Sequence, residues 1–180
     1  MIHPTAIINC PPLQSKALAR PFAEHPDCDI HPTAQIGPFA VLYRGVTVME
    51  HAMIGEKVSI QEGTVIGPYC VIGRGVTIGY DARLAERVRI MDLSHITGGT
   101  VIGAGTFIGT GVITVNDDDP REYVWKGHKA PTIGAGVLLG SGCNIRAGVT
   151  IGDNAVVASH AMVTKDVPAG ALVRGVPAHS

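Results

Sequence analysis

The stretch GVTVMEHAMIGEKVSIQEGTVIGPYCVIGRGVTIG, residues 45–79, places an aliphatic side chain at every sixth position. The members of this series are Val48, Ile54, Ile60, Ile66, Ile72 and Ile78. The same six-residue spacing continues without interruption from Ile30 to Ile108, and it resumes from Ile133 to Val163. Four positions after most of these residues stands a smaller one, such as Cys70 or Ala155. This repeat of six decides the fold class.

A period of six does not fit the 3.6-residue turn of an α-helix, and it is longer than the two-residue alternation of one strand. It fits a short strand followed by a turn, with the large and the small residue pointing inward and the residue between them pointing outward. Three such sides close a triangular coil of eighteen residues, and stacked coils pair their backbones in parallel. The sequence therefore predicts an all-β solenoid, with Cys70 and Cys143 at inward positions.

The length and composition are those of one small domain, and the chain has almost no net charge. The formal net charge is −1, which gives no general attraction for nucleic acid or an anionic membrane. The N-terminus does not resemble a signal peptide, and no apolar stretch is long enough to cross a bilayer. The four cysteines form no CxxC pair, so we expect reduced thiols and a cytoplasmic location. Cys10 and Cys28 flank an irregular segment and could face each other.

Two segments interrupt the repeat, and the chain divides accordingly. The motif IHPTA occurs at Ile2 and again at Ile30, so residues 2–7 are predicted to form a first rung. The predicted order within one domain is a first rung at 2–7, an insertion at 8–29 with a short helix at Gln14–Ala19, repeats at 30–113, a projecting loop at 114–132, repeats at 133–168 and a tail at 169–180.

Residues at outward positions stack at intervals of eighteen, so Val41, Ser59, Thr77, His95 and Ile113 are expected in one column. His95 therefore lies one coil before the residue from which the loop departs. Long loops in compact repeats usually carry function. This one contains Asn116, Asp117, Asp118, Asp119, Arg121, Tyr123, Trp125, Lys126 and His128, and Trp125 is the single tryptophan of the chain.

The repeat resembles that of the hexapeptide-repeat acyltransferases, whose fold is a left-handed parallel β-helix. The handedness is implied by the resemblance, because the general rule for parallel crossovers favours right-handed connections. The segment ITVNDDDPR is similar to the loop of N-acetyltransferases that act on nucleotide-linked amino sugars. In the related galactoside and xenobiotic enzymes a His-Pro pair lies near this point, where Asp119 and Pro120 stand here. Leu138 occupies a place that is tryptophan in the sugar-hydroxyl and xenobiotic enzymes, and this difference favours the amino-sugar branch.

The resemblance implies acetyl-CoA as co-substrate and no metal. Ser141, Ser159, Thr164 and Lys165 match family positions around the cofactor, and Arg174 is a second candidate for its phosphates. A backbone N–H near Gly134 is expected to polarise the thioester. We expect His95 to act as base or orienting group and Asn116 and Asp117 to hold the sugar or its amine. The substrate-binding candidates are Asp119, Arg121, Trp125 and His128.

The expected activity is transfer of an acetyl group by direct attack in a ternary complex, because no nucleophile motif is present. The expected partners are a nucleotide-linked amino sugar and two further copies of the chain. Outward apolar residues favour association, and the resemblance implies a trimer; they are Val65, Val71, Val101, Phe107 and Ile113.

Four alternatives belong to other classes. An O-acetyltransferase on a sugar or antibiotic remains the main one. A γ-class carbonic anhydrase would need three zinc-binding histidines with an HxxxxH spacing, and Thr100 stands five residues after His95. A serine acetyltransferase is expected to carry a helical N-terminal domain, which this sequence does not show. A non-catalytic β-helix subunit would leave the loop and the VTKDVPAGALVRGVPA ending unexplained.

Overall fold

The computed structural model describes residues 1–12, 23–117 and 129–179. Within these ranges the regular structure consists of short parallel β-strands, and no helix is found. The strands form three sheets that the chain visits in turn, which makes a solenoid of about seven coils. The predicted all-β solenoid is confirmed, whereas its left-handed sense stays a prediction. The helix predicted at Gln14–Ala19 lies outside the described residues.

Each sheet collects every third strand. The first sheet contains β1 (Ile7–Cys10), β4 (Val41–Tyr43), β7 (Ser59–Ile60), β10 (Thr77–Ile78), β13 (His95–Ile96), β16 (Ile113–Thr114), β19 (Asn144–Ile145) and β22 (Met162–Val163). The second contains β2 (Asp29–Ile30), β5 (Thr47–Val48), β8 (Val65–Ile66), β11 (Arg83–Leu84), β14 (Val101–Ile102), β17 (Thr132–Ile133) and β20 (Thr150–Ile151). The third contains β3 (Gln35–Ile36), β6 (Met53–Ile54), β9 (Val71–Ile72), β12 (Arg89–Ile90), β15 (Phe107–Ile108), β18 (Leu138–Leu139), β21 (Val156–Val157) and β23 (Leu172–Val173).

The register between coils follows the predicted spacing of eighteen residues. Thr77 pairs with His95 and Ile78 with Ile96 in the first sheet. The same offset holds wherever no loop intervenes, except at the C-terminal end, where Val156 pairs with Leu172, sixteen residues later. Such parallel strands lie about 4.8 Å apart. Side chains at equivalent positions of successive coils therefore stand directly above one another.

The core is a continuous column of inward aliphatic side chains. The large position of the repeat is buried from Ile36 to Val163, and the small position is buried with it. Cys70 and Cys143 are fully buried, as predicted, and burial raises the pKa of Cys70 to about 11 and that of Cys143 to about 12. Polar residues at the small position satisfy their hydroxyls on neighbouring carbonyls. The Ser94 hydroxyl, for example, donates to the Gly109 carbonyl at 2.9 Å.

The corners of the triangle need two special backbone positions. The residue directly after the large aliphatic one lies against the next coil, and a Cβ on Gly55 would come within 2.8 Å of the Ile72 carbonyl oxygen. The residue two places later adopts a positive φ, as at Gly63. Glycine suits both positions because it has no Cβ.

The two long connections leave from the same corner of the triangle. A regular corner takes four residues, such as 97–100 between β13 and β14. The connection from β1 to β2 takes residues 11–28, and the one from β16 to β17 takes residues 115–131. Both run from the first sheet to the second, at what we call the loop corner. His25 from the first connection lies against Gly45 and Gly63 along this corner.

Candidate functional site

The outward surface of the first sheet carries the predicted base. His95 begins β13 and stands in the expected column, between Thr77 on the coil before and Ile113 on the coil after. Its Nδ1 lies 2.7 Å from the Thr77 hydroxyl oxygen. Partial burial by its neighbours lowers the pKa of His95 below the ordinary histidine value. The imidazole is therefore neutral at neutral pH, which a proton acceptor requires.

The root of the projecting loop is fixed beside His95. Asn116 follows β16 at the loop corner, and its Nδ2 donates to the Gly98 carbonyl at 3.1 Å. The backbone N–H of Lys129 donates to the Asn116 carbonyl at 3.2 Å. The N–H of Gly148 then donates to the Lys129 carbonyl at 2.6 Å. The two ends of the loop are thus tied to each other and to the neighbouring coils.

Asp117 is exposed and is the last described residue before the tip of the loop. The substrate-binding candidates Asp119, Arg121, Trp125 and His128 lie outside the described residues. Their roles stay predictions.

A cleft of about 310 Å³ opens on the same surface, one to three coils beyond His95. Its walls are partly apolar and partly charged or amide; the lining residues are Ile113, Val115, Asp117, Asn144, Ile145, Arg146 and Met162. A second cleft of about 330 Å³ lies at the N-terminal end of the solenoid, near Ile2 and Met53, and contains none of the predicted site residues. We therefore place the candidate site at the first cleft.

The sequence reasoning missed Asn144, Arg146 and Met162. Asn144 and Met162 continue the column of His95 and Ile113, because β16 pairs with β19 and β19 with β22. The Asn144 side chain donates to the Gly142 carbonyl at 3.2 Å, which leaves its oxygen available as an acceptor. Carrying the eighteen-residue count across the loop would have found these residues, once the length added by the loop was known.

Several cofactor candidates border the same sheet. Ser141 and Ser159 occupy equivalent places on successive coils at the corner between the third and first sheets, here called the serine corner. Gly140 packs so closely there that a Cβ would meet the backbone nitrogen of Ser159. Both serines are exposed, and in the described part of the chain neither of their backbone N–H groups has a hydrogen-bond partner. Arg174 follows β23 at the top of this corner.

The loop corner carries the other cofactor candidates. Thr164 and Lys165 follow β22 there, two coils beyond Asn116, and the Lys165 side chain is exposed. The first sheet therefore has serine and arginine candidates along one border, and asparagine, threonine and lysine candidates along the other. The cleft lies between the two borders.

Gly134 does not join this arrangement, and its predicted role stays a prediction. It follows β17 at the corner between the second and third sheets, away from the cleft. Its backbone N–H donates to the Ile151 carbonyl at 2.8 Å as part of the ladder between coils. The N–H of Gly134 is therefore engaged within the solenoid in this structure.

Two segments of the chain match a known family of repeat proteins. The bacterial transferase hexapeptide family (six repeats) matches residues 45–80 and 130–165. The resemblance to hexapeptide-repeat transferases is confirmed at these residues. The second matching segment includes the hexapeptide coils that carry Ser141, Asn144, Ser159 and Lys165.

Two relatives and one solved structure illustrate the similarity. Serine acetyltransferase 4 of Arabidopsis thaliana is 30% identical over 152 residues, which are 83% of this chain and 28% of the relative. Galactoside O-acetyltransferase of Escherichia coli (strain K12) is 50% identical over 46 residues, which are 26% of this chain and 23% of the relative. This chain thus spans about a quarter of the length of each.

The solved structure is a mutant perosamine N-acetyltransferase from Caulobacter crescentus in complex with CoA and GDP-perosamine. Its TM-score is 0.52 at 24% identity, and the match covers 86% of this chain and 56% of that chain. At this identity the likeness supports the fold alone. Both relatives and this structure are acetyltransferases by name.

Two other features, a metal-binding cluster and a membrane-spanning helix, are absent from the described ranges. In residues 1–12, 23–117 and 129–179 there is no group of three His, Cys, Asp or Glu side chains arranged to hold a metal ion. The same ranges contain no helix long and apolar enough to span a membrane. The expected cytoplasmic location stays a prediction.

Proposed function

We propose that this protein is an acetyl-CoA-dependent acetyltransferase that N-acetylates a nucleotide-linked amino sugar by direct attack in a ternary complex. The main support for the proposal is the grouping of the candidate residues on one surface. The outward surface of the first sheet carries a neutral histidine and a cleft. The root of the projecting loop and the two rows of cofactor candidates lie along the borders of this sheet. The hexapeptide match and the names of the relatives support the reaction class.

The chemistry needs an acceptor amine and a thioester held within reach of a base. The amine nitrogen attacks the thioester carbonyl carbon, so that the C–N bond forms as the C–S bond breaks. The proton lost by the amine passes to His95, and the departing CoA thiolate is protonated from His95 or from water. Asn116 and Asp117 orient the amine at the mouth of the cleft, and the apolar Ile113 and Met162 support the acceptor's ring.

The cofactor is proposed to lie along the serine corner, with its thioester end directed at the cleft. The backbone N–H groups of Ser141 and Ser159 take no part in the ladder between coils and suit the amide carbonyls of a pantetheine arm. Arg174 and Lys165 offer positive charge for phosphates at the two borders. The complex of the perosamine enzyme with CoA is consistent with this assignment of the donor.

A homotrimer is part of the proposal. The outward column of the third sheet is mostly apolar and contains Met53, Val71, Phe107, Leu138, Val156 and Leu172. Leu138 and Leu172 are about half exposed, at 48% and 54%. Association of copies would cover such a stripe.

An O-acetyltransferase is the second candidate. The identity of 50% with galactoside O-acetyltransferase over 46 residues favours it. The same base and cleft would then take a proton from a sugar hydroxyl.

One experiment separates the candidates. The protein is incubated with acetyl-CoA and paired acceptors, nucleotide-linked sugars that carry either an amine or a hydroxyl at the same carbon, and products are identified by mass spectrometry. We expect a gain of one acetyl group on the amine only. His95→Ala and Asn116→Ala should each abolish most of this product, whereas His31→Ala, an exposed histidine on another coil, should not. Acetylation of the hydroxyl member alone would establish the second candidate, and no acetylation of either would refute both.

A further inference from the structure

The column that holds His95 also contains a hydrogen-bonding partner that the proposed reaction does not yet use. Thr77 pairs with His95 in the register of β10 and β13. The distance from Thr77 Oγ1 to His95 Nδ1 is 2.7 Å. Both backbones are fixed in the ladder between coils. The N–H of Thr77 donates to the Ser94 carbonyl at 3.0 Å, and the N–H of His95 donates to the Val112 carbonyl at 2.8 Å. The pair is therefore held by the frame of the solenoid and not by a loop.

The neighbour on the other side cannot make such a contact. Ile113 pairs with His95 from the following coil, and its side chain is purely aliphatic. Within the column, Thr77 is thus the residue that hydrogen-bonds the ring. It is also exposed, so its hydroxyl hydrogen can be directed to water while its oxygen accepts a bond.

The direction of that bond determines what His95 can do. A neutral imidazole has one N–H and one bare nitrogen, and the partner of one nitrogen selects the state of the other. If Nδ1–H donates to Thr77, Nε2 is bare and can take a proton. If the hydroxyl donates to Nδ1, Nε2 carries the hydrogen and can only donate.

We propose that Thr77 is a positioning residue that accepts the Nδ1–H hydrogen bond of His95, fixes the ring plane and leaves Nε2 as the proton acceptor. The proposal rests on the proposed role of His95 as base. It assigns to Thr77 the function that a buried carboxylate has in other histidine-based sites, but with a neutral hydroxyl. A neutral partner adds no negative charge, and so the burial-lowered basicity of the ring is retained.

Nuclear magnetic resonance tests the tautomer without any acceptor. Long-range proton–nitrogen spectra of the uniformly labelled protein, with the His95 signals assigned by their absence in His95→Asn, should show Nδ1 protonated and Nε2 bare above the pKa. In Thr77→Val this preference should shift toward the Nε2–H form. Thr77→Ser keeps the hydroxyl and should keep the original tautomer. The opposite tautomer in the unmodified protein would overturn the proposal.

Kinetics gives the second readout. With the acceptor found in the product assay, Thr77→Val should lower kcat about tenfold, the effect of losing one ordinary hydrogen bond. The KM for acetyl-CoA should not change, because Thr77 lies one coil before His95, whereas the cofactor candidates lie on the coils after it. Thr77→Ser should restore most of kcat. Thr47→Val makes the same replacement at an outward position of β5 in the second sheet and should leave kcat unaltered.

The two readouts keep this inference distinct from the proposed function. If neither acceptor is acetylated, the proposed function fails while the spectra still decide which atom of His95 faces Thr77. If His95→Ala retains full activity, the base is elsewhere and Thr77 has no positioning role. A Thr77→Val protein with full kcat and an unchanged tautomer would likewise refute the proposal.

Discussion

Thr114 accepts a hydrogen bond of 2.8 Å from the backbone N–H of Thr97 through its side-chain oxygen, although both residues are buried. Thr114 occupies an inward large position, where the repeat elsewhere has an aliphatic residue, and it is the last inward residue before the projecting loop. A polar side chain at this place satisfies the backbone of the corner beside His95.

Thr114→Val should destabilise the fold with almost no change in side-chain volume. The substitution leaves the buried Thr97 N–H without its acceptor, which costs about 1–3 kcal/mol. Thermal unfolding at one fixed protein concentration measures the loss. Thr47→Val, at a half-buried outward position of β5, should change stability by no more than about 0.5 kcal/mol. Equal melting temperatures for Thr114→Val and Thr47→Val would show that the hydrogen bond contributes nothing.

Activity should persist to a lower pH than an ordinary histidine base allows. The pKa of His95 is lowered by burial, so the neutral form survives below the usual value of about 6.5. The profile of kcat/KM against pH should therefore fall on the acid side at a midpoint under that value. A midpoint above it would contradict the assignment of His95 as the base.

The lowered pKa of His95 also predicts how the stability of the fold depends on pH. A histidine with a lower pKa in the folded state binds its proton more readily when unfolded, so stability is lost as the pH falls below about 6.5. The His95→Asn variant should lose less stability than the unmodified protein between neutral and mildly acidic pH. Unfolding at a series of pH values measures the difference.

Lys165→Ala should weaken CoA binding more than dephospho-CoA binding if the 3′-phosphate is its target. Lys165 is exposed, so screening by solvent limits the effect to roughly twofold to fivefold, and added salt should reduce it further. Arg83→Ala, which removes an exposed charge from the second sheet, is the control. Calorimetry that finds the same loss for both ligands would move Lys165 to another part of the cofactor.

Replacing residues 117–128 with a short Gly/Ser linker should leave the solenoid folded. The inward positions on either side, Thr114 and Ile133, are both retained. CoA binding should be largely intact while acetyl transfer is abolished, because the replacement removes the proposed substrate-binding residues Asp119, Arg121, Trp125 and His128 but none of the cofactor candidates. Acetylation at a near-normal rate would show that the loop has no part in the site.

The repeat could be predicted from sequence because each coil makes the same local contacts. The alternation from Ile30 to Ile108 leaves one arrangement in which all large residues point inward, and the register of Thr77 with His95 follows from it. Handedness does not follow from the period, because a coil of either hand buries the same residues.

The site was only partly predictable. His95 followed from counting, whereas Asn144 and Met162 needed the length of the interruption. Ile102 pairs with Ile133, 31 residues later instead of 18, so the loop adds 13 residues, and this number appears only in the paired strands. The hydrogen bond of the Gly134 N–H was likewise not predictable, since the sequence does not tell which N–H groups the ladder between coils uses.

The shared exit of both long connections has an evolutionary consequence. The coil after the loop resumes with Ile133 paired to Ile102 and Thr132 to Val101 as though nothing had been inserted. The frame thus holds this connection at Asn116 and Lys129 and imposes little on what lies between these two residues. A recombination event can exchange that segment for another while the coils that carry Ser141 and Ser159 stay unaltered. Under the proposed function, preference for new acceptors can then evolve by replacement at a single joint, without a compensating change in the rest of the chain.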